Sequence, residues 1–516
     1  MAQAMAIPAE LSCYLLLLAL LAIVPLLYLK VSRGRSNSGR RLPPGPWALP
    51  VIGHLHHLAG ALPHRAMRDL ARRHGPLMLL RFGEVPVVIA SSADATREIM
   101  KTHDLAFASR PIGPMLRRVF QGAEGLLFAP YGDAWRQLRK ICTVELLSAR
   151  RVSSFRHIRE DEVGRLLRCV VSAATTGPVN LSERIAAFVA DSSVRAISGC
   201  RAENRDEFLR LLEEGIKVVP GMSLPDIFPS SRLAMRLSRV PGQIEERRRR
   251  MLAFLDTIIQ ERQESKAAGI TGGIIEDLLD VLLRLQKDMD SQYPLTTLNI
   301  KVVILDLFAA GSETSSTMLH WAMAELMRNP KAMQRAQEEV RRELAGHDKV
   351  TEDSLTNLHY LRLVIKETLR LHPAAPLLLP RECGSPCQVL GFDVPQGAMV
   401  LVNAWAIGRD PAQWDAPEEF VPERFEEQGG GGGRDFKGTD FEFVPFGAGR
   451  RVCPGMTFGL AHIELALAAL LFHFDWKLPE GMAPEKMDMT EQAGLTTRRQ
   501  SDLLLVAMPR APVPIE

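Results

Sequence analysis

One cysteine near the C-terminus lies in the segment with the clearest capacity for chemistry. Phe446 to Gly455 reads FGAGRRVCPG, with two glycines ahead of Cys453 and a helical pattern after it. Glycine lets backbone approach a bulky planar group, and a cysteine at a helix start faces amide N–H groups that favour the thiolate. Arg451 adds positive charge nearby and is long enough to reach a carboxylate. No Cys or His stands at metal-clip spacing from Cys453, which disfavours a structural zinc site.

A second group with chemical capacity lies in the stretch 295–328, which the pattern predicts to be one long helix ended by Asn329-Pro330. Its centre reads AAGSET, residues 309–314, where small side chains would let a flat cofactor or dioxygen lie against the backbone. A Thr314 hydroxyl bonded to the carbonyl four residues earlier would widen and interrupt the helix. Glu313 and Thr314 would then form an acid–hydroxyl pair suited to a proton relay. The alternative is a loosely packed core helix with Glu313 in a salt bridge.

Six further residues carry no specific functional signal when each is considered alone. A WxxxR pattern and an ExxR pattern each place two side chains on one helix face, and two arginines follow in Pro-Arg-Glu and Pro-Glu-Arg-Phe segments. These residues are Trp135, Arg139, Glu367, Arg370, Arg381 and Arg424.

Along the chain the motifs follow the order WxxxR, AGSET, ExxR, PERF and then the cysteine loop. In type and order they resemble the motifs of the cytochrome P450 superfamily, and the resemblance runs from Pro43 to the C-terminus. The Phe-x-x-Gly-x-Arg-x-Cys-x-Gly frame matches the haem-binding signature of that family. The resemblance implies a cofactor, haem b (iron protoporphyrin IX), with the Cys453 thiolate as axial iron ligand and Phe446 shielding the sulfur. It also implies propionate contacts from Arg451, Trp135, Arg139 and Arg381, and a buried structural triad of Glu367, Arg370 and Arg424. Glu313 and Thr314 would deliver protons, and Ser315 replaces a threonine that many members carry.

The resemblance implies a monooxygenase that uses O2 and NADPH-derived electrons. Since no GxGxxG dinucleotide motif is present, the electrons would come from NADPH-cytochrome P450 reductase in the same membrane. By family analogy the substrate would contact regions 110–128, 213–229, 306–313, 374–379 and 492–496. The expected pocket residues are apolar and favour a neutral hydrophobic molecule: Met115, Val119, Phe120, Phe308, Ala309, Ala310, Leu377, Leu378 and Leu495.

The proline-rich PPGPW segment, the AGSET helix and the length resemble plant endoplasmic-reticulum members of specialised metabolism. A terpenoid hydroxylase, for example of the diterpenoid phytoalexin type, is the first expectation, and a phenylpropanoid or flavonoid hydroxylase is the second. A haem-thiolate isomerase is disfavoured by Glu313-Thr314, because such relatives typically lack the threonine. A haem electron carrier or sensor would not need the acid–hydroxyl pair.

The elements that must position these residues form, by pattern, one large domain that is mainly α with a small β-rich lobe, as in the cytochrome P450 fold. Runs around 77–90 and 387–403 read as strands, and helices are predicted over 331–345, 354–371 and 456–472. The chain has 516 residues with 63 Lys+Arg against 60 Asp+Glu, so bulk charge gives no reason to expect nucleic-acid binding. Its seven cysteines disfavour a disulfide scaffold.

The N-terminus carries a membrane signal. Residues 11–29 are uncharged, long enough to cross a bilayer, and followed by a basic flank. We therefore expect a membrane anchor over 1–30, a basic and proline-rich linker over 31–47 and a haem-thiolate catalytic domain over 48–516. The charge order predicts a single-pass protein of the endoplasmic reticulum membrane with its catalytic domain in the cytosol.

Overall fold

The computed structural model describes residues 39–120, 125–199, parts of 207–214, 223–268, 276–287, 294–426 and 433–513. The helices are α1 Pro63–His74, α2 Ala93–Arg97, α3 Pro114–Phe120, α4 Asp133–Ile141, α5 Ala149–Ser154, α6 Arg156–Ala174, α7 Leu181–Ser198, α8 Leu224–Ile227, α9 Arg232–Leu237, α10 Val240–Ala267, α11 Leu278–Gln286, α12 Thr297–Arg328, α13 Pro330–Glu343, α14 His359–Leu371, α15 Ala404–Ile407 and α16 Met456–His473. The strands are β1 Leu77–Phe82, β2 Val85–Ala90, β3 Val179–Asn180, β4 Arg381–Glu382, β5 Cys387–Val389, β6 Phe392–Val394, β7 Met399–Val402, β8 Phe474–Lys477, β9 Glu491–Gln492, β10 Arg498–Arg499 and β11 Leu504–Pro509.

Helix α12 is the central element of the helical core. A capping box starts it, in which the Thr296 hydroxyl accepts from the Asn299 amide and the Asn299 side chain accepts in return. The helix ends before Pro330, which opens α13. Its C-terminal half is buried against α7 and α16, whose apolar side chains belong to the same core cluster. The long helix predicted over 295–328 is thus confirmed to within two residues.

The predicted interruption of α12 is wrong. The Thr314 hydroxyl does donate to the Ala310 carbonyl oxygen, at 2.6 Å. The α-helical pattern nevertheless continues through this point to Arg328. A carbonyl oxygen has two lone pairs, so it can accept from the hydroxyl while its backbone hydrogen bond remains.

A four-stranded sheet in the order β1-β2-β7-β4 forms the main part of the strand lobe. The predicted hairpin is confirmed: β1 pairs antiparallel with β2 around Gly83-Glu84. Strand β7 lies parallel to β2 and antiparallel to β4. This pairing holds Arg381 opposite Val400 and fixes the arginine relative to the sheet.

The smaller strand pairs complete the lobe, with β3-β11-β8 in one sheet and the hairpins β5-β6 and β9-β10 beside it. The predicted fold class, mainly helical with a small strand-rich lobe, is confirmed. Residues 1–38, which contain the expected membrane anchor and the start of the linker, lie outside the described residues. So do residues 429–432, which are most of a five-glycine tract. Within the described ranges, α16 is apolar and long enough to span a membrane, but 67% of it is buried inside the protein.

Candidate active site

A cavity of about 470 Å³ lies between α12, the cysteine loop and the segment 126–128. Its walls are largely apolar, and polar groups converge only at a few places. Of the residues expected to line a substrate pocket, six do so: Val119, Phe120, Ala309, Ala310, Leu378 and Leu495. Cys453, Thr314 and Glu313 line the same cavity.

The cysteine loop reaches this wall through two glycines in left-handed conformations. Gly447 has φ 68° and Gly449 has φ 69°, a region that side-chain-bearing residues rarely adopt. A Cβ on Gly449 would also lie 2.3 Å from the Met100 carbonyl oxygen. The Cys453 amide donates to the Phe446 carbonyl oxygen at 3.0 Å, closing the loop just before α16. The loop conformation therefore presents the Cys453 side chain on the cavity wall.

The electrostatics of Cys453 differ from the sequence expectation. Burial raises the pKa of this thiol, and the Gly455 amide and the Arg139 charge only partly oppose that effect. A metal ion bound to sulfur removes the thiol proton outright, so an iron partner would stabilise the thiolate here.

Four arginines lie around one side of the cavity: Arg110, Arg139, Arg381 and Arg451. They are held mainly by backbone carbonyls. Arg451 donates to the oxygens of Ala108 and Ala129 at 2.6 and 2.5 Å, and its guanidinium lies 3.9 Å from the centre of the Trp135 ring. Arg451 makes no ion pair with a protein carboxylate among the described residues, and the expected contact of Arg451 with a haem propionate stays a prediction.

The other members of this group are held in the same way. Arg139 donates to the Val452 oxygen at 2.6 Å, and Arg381 donates to the Ala448 oxygen at 2.7 Å. Arg110 donates to the oxygens of Leu379 and Pro380. Carbonyl dipoles fix the orientation of these cations but leave their net charge uncompensated.

The burial and mutual repulsion of these cations indicate what kind of ligand would fit the cavity. Burial lowers the pKa of Arg451 to about 9 and that of Arg381 to about 10, and the charge of Arg381 adds to the effect on Arg451. The pKa of Arg110 is also well below its ordinary value because of burial and the same two cations. Among the described residues one carboxylate, Asp104, approaches the group, at 3.5 Å from Arg381. A buried cationic group and a thiol that line one apolar cavity fit a flat iron porphyrin with two carboxylates.

One face of α12 forms the opposite wall. Leu305, Asp306, Ala309, Ala310 and Glu313 all line the cavity, at the three- and four-residue spacing that places side chains on one helix face. Thr314 stands at the end of this stripe. The geometry thus brings the small residues and the acid–hydroxyl pair opposite Cys453.

Glu313 is ion-paired, as the alternative interpretation of the sequence held. Its carboxylate accepts from the Thr496 hydroxyl at 2.7 Å and pairs with the Arg498 guanidinium through both oxygens. The Glu313 side chain is 14% exposed and that of Arg498 is 44% exposed. The carboxylate therefore lies between the cavity and a partly solvated cation.

Asp306 is a polar residue that sequence reasoning did not single out. Its Oδ2 atom accepts from the Leu126 amide at 2.6 Å and from the Leu127 amide at 3.2 Å. Burial raises the pKa of Asp306 from 3.8 to about 7, and these two hydrogen bonds oppose the shift only in part. The segment that supports Arg110, Trp135 and Arg451 is thereby attached to α12.

The structural triad lies behind the cavity. Arg370 donates to both oxygens of Glu367 at 2.7 Å, and Arg424 donates to one of them at 3.0 Å. The Val421 amide donates to the same carboxylate at 2.8 Å. Glu367 and Arg370 are essentially inaccessible to solvent. This network joins α14 to the segment that leads into the cysteine loop.

Three expected pocket residues lie elsewhere. Phe308 is on the far side of α12 and packs edge-to-face on Phe208, 4.7 Å between ring centres. Met115 is buried where α3 packs against α8 and α10. Leu377 packs against the cluster beneath β1 and β2, while Leu378, with φ 51°, turns towards the cavity.

Sequence reasoning also missed Arg110, the fourth cation. It is buried at the cavity edge and donates to the Leu127 carbonyl oxygen at 3.2 Å. The only local signal is an Arg-Pro dipeptide, which has no distinguishing spacing. Arg248 on α10 also lines the cavity, and it donates to the Val119 oxygen at 3.1 Å.

The fold and this site are those of a haem-thiolate enzyme. The family model for cytochrome P450 matches residues 43–506. The chain belongs to the cytochrome P450 family, and it is accordingly a haem-thiolate monooxygenase with haem b as its cofactor.

Plant proteins are similar to the chain over nearly its whole length. A desmethyl-deoxy-podophyllotoxin synthase of Sinopodophyllum hexandrum is 47% identical over 487 residues, covering 94% of this chain and 95% of that protein. A premnaspirodiene oxygenase of Hyoscyamus muticus is 47% identical over 491 residues, covering 94% and 96%. A solved zebrafish cytochrome P450 structure with abiraterone has a TM-score of 0.73 at 24% identity and covers 87% of this chain and 99% of that one, a likeness of fold.

Proposed function

We propose that the chain is a membrane-anchored monooxygenase that hydroxylates a neutral, hydrophobic plant terpenoid with electrons from NADPH-cytochrome P450 reductase. The observation that carries the proposal is the position of Cys453 across an apolar cavity from Thr314, with a group of uncompensated arginines at the cavity edge. When bound there, the haem supplies dioxygen activation and transfer of one oxygen atom to the substrate. The protein supplies the axial sulfur, the orientation and the proton supply.

Cys453 is the proposed iron ligand, and Phe446 covers the sulfur from the loop that it closes. Arg110, Arg381 and Arg451 would bind the propionates, because their carbonyl partners orient them while leaving charge to neutralise. Trp135 supports this set: its Nε1 donates to the Leu126 oxygen at 3.0 Å and its ring lies against Arg451. The four-residue spacing on α4 places Arg139 beside Trp135 and above the cysteine loop.

The proton route would run through Thr314 and Glu313. The Thr314 hydroxyl is directed to the Ala310 oxygen in this structure, and rotation about one side-chain bond would turn it into the cavity. Glu313 pairs with Arg498, so the proposed route requires that guanidinium to move aside and release the carboxylate. The exposure of Arg498 links this exchange to solvent. The Glu313–Arg498 ion pair thus separates the cavity from bulk water while allowing protons to pass.

The substrate class follows from the cavity lining. The lining residues Val119, Phe120, Leu378 and Leu495 provide apolar contacts, which suits a hydrocarbon-rich molecule. The similarity to a premnaspirodiene oxygenase supports a terpenoid substrate. A molecule of this kind partitions into membranes, which is consistent with an enzyme held at their surface.

An exposed apolar surface supports membrane attachment in addition to the proposed anchor. The Glu84 amide donates to the Ile227 oxygen and the Gly83 amide donates to the Ile52 oxygen, so α8 and the segment around Ile52 meet at the β1-β2 turn. Large apolar side chains near these points are solvent-exposed, which is unusual for a surface facing only water: Trp47, Val51, Ile52, Leu224, Leu233 and Leu237. We propose that this surface faces the endoplasmic reticulum membrane and that the catalytic domain is cytosolic.

The decisive experiment combines a spectrum with product analysis. The full-length protein is reconstituted with NADPH-cytochrome P450 reductase and incubated with sesquiterpene and diterpene hydrocarbons, and products are screened for a mass gain of one oxygen. Wild type should yield a hydroxylated terpenoid, while Cys453→Ala should lose the thiolate-type absorption of the reduced carbon-monoxide complex. Survival of that spectrum in Cys453→Ala would contradict the ligand assignment. Turnover of phenylpropanoids but not terpenoids would contradict the substrate class alone.

A further inference from the structure

Two cysteines outside the active site lie in contact on the strand lobe. The sulfurs of Cys383 and Cys387 are 4.0 Å apart. Cys383 directly follows β4 and is fully buried, whereas Cys387 begins β5 and is half-buried. Among the described cysteines, Cys142 and Cys453 lie elsewhere in the fold and Cys169 is on α6. The spacing Cys-x-x-x-Cys places this pair within one short loop.

Backbone hydrogen bonds hold both ends of this loop, and Cys387 is paired with Val394 in the β5-β6 hairpin. The Cys383 amide donates to the Ala398 oxygen at 2.9 Å and its carbonyl accepts from the Gly397 amide at 2.7 Å. The Gly384 amide donates to the Ala106 oxygen at 2.7 Å. The three residues between the cysteines, 384–386, are exposed. Movement that brings the sulfurs together would therefore fall on the exposed link and on the Cys387 side chain.

We propose that Cys383 and Cys387 form a peroxide-reactive dithiol that closes into an intramolecular disulfide. A disulfide needs a sulfur separation of about 2 Å, so closure requires the two sulfurs to approach each other by roughly 2 Å. The proposal does not depend on the substrate or the redox partner assigned above.

The electrostatic asymmetry of the pair defines the order of steps. The contact between the two sulfurs lowers the pKa of Cys387, whereas the same contact and burial raise the pKa of Cys383. The Cys387 thiolate attacks one oxygen of hydrogen peroxide, and the O–O bond breaks to give a sulfenic acid and hydroxide. The Cys383 thiol then attacks that sulfur, the S–O bond breaks, and its proton leaves with the departing hydroxyl as water. Overall two thiols lose two electrons and two protons, and one peroxide becomes two waters.

The test uses the full-length, haem-loaded protein. After reduction and removal of the reductant, one equivalent of hydrogen peroxide is added, free thiols are alkylated and peptides are mapped by mass spectrometry. The peptide containing Cys383 and Cys387 should escape alkylation, lose the mass of two hydrogens and regain both thiols with dithiothreitol. Cys387→Ser should abolish this product, and the matched Cys169→Ser variant should leave it unchanged.

Alkylation of both cysteines after peroxide treatment, to the same extent as Cys169, would overturn the proposal. So would a Cys387 sulfinic acid formed without any cross-linked peptide. Wild type alone decides these outcomes if Cys387→Ser does not fold. Phenylarsine oxide, which bridges neighbouring thiols, provides a second measurement: one equivalent should protect this peptide from alkylation, and failure to protect it would count against the proposed closeness of the two thiols.

Discussion

Asp306 provides a quantitative test of how the cavity is assembled. Its carboxyl group is buried and holds the amides of Leu126 and Leu127 through one oxygen, Oδ2. Burial raises the pKa of this group from 3.8 to about 7. In Asp306→Asn the amide oxygen can accept the same two hydrogen bonds, but the residue no longer titrates. The substitution therefore isolates the cost of ionising the buried carboxyl group.

The sign follows from proton binding. Between pH 3.8 and about 7 the folded protein holds a proton on Asp306 that the unfolded chain has released, so stability falls as pH rises through this window. At about 1.4 kcal/mol per pH unit, these pKa values predict that wild type loses roughly 2–3 kcal/mol relative to Asp306→Asn between pH 5 and pH 8. Other titrating groups cancel in the difference between the two proteins.

The assay is denaturant unfolding of both haem-loaded proteins at pH 5, 6, 7 and 8. Asp226→Asn is the matched control, because Asp226 is also buried and its Oδ1 accepts from the Met115 amide at 3.2 Å. A wild-type-minus-variant difference that stays constant from pH 5 to pH 8 would refute the assignment of a buried, proton-holding carboxyl group at position 306.

Three further outcomes are expected. Thr314→Ala should raise the hydrogen peroxide released per NADPH consumed, while Thr314→Ser should keep the wild-type ratio; equal ratios in all three would count against a proton role for the hydroxyl. Arg498→Gln should free Glu313 and change the hydrogen peroxide released per NADPH consumed without changing haem content, and an unchanged ratio would contradict the proposed gate. Glu367→Gln should lower the free energy of unfolding by about 3–5 kcal/mol, because it leaves two buried arginines without their shared anion. Denaturant titrations measure this loss, and a loss below about 1 kcal/mol would disagree with that reasoning.

The elements that carry the site were predictable because their signals are local. The stop signal of α12 and the two glycines before Cys453 are readable within a few residues, and the structure places them as expected. The order of the motifs along the chain was also sufficient to identify the family. The structure also brings Arg424 to Glu367 and Arg370, although Arg424 belongs to a separate segment.

The errors arise where side-chain direction depends on tertiary packing. Leu377 and Leu378 are identical in type, and only the left-handed backbone at Leu378 determines which of them faces the cavity. Phe308 has the composition expected of a pocket residue, but its helical phase differs from that of Ala309 and Ala310. The backbone oxygens of Ala108 and Ala129, which hold Arg451, come from a distant segment and were not predicted from sequence.

The segment Leu126-Leu127 explains why the arginine group could not be derived from sequence. The Leu126 carbonyl accepts from Trp135, and the Leu127 carbonyl accepts from Arg110. The amides of the same two leucines donate to Asp306. Two apolar residues thus connect the cavity helix to the cations through their backbone alone, which leaves no side-chain pattern to read. It follows that the position of the arginines depends on the Asp306 carboxyl group of α12. Replacing Asp306 with leucine, which cannot accept these hydrogen bonds, should therefore weaken haem retention, even though the Asp306 side chain does not itself contact the arginines.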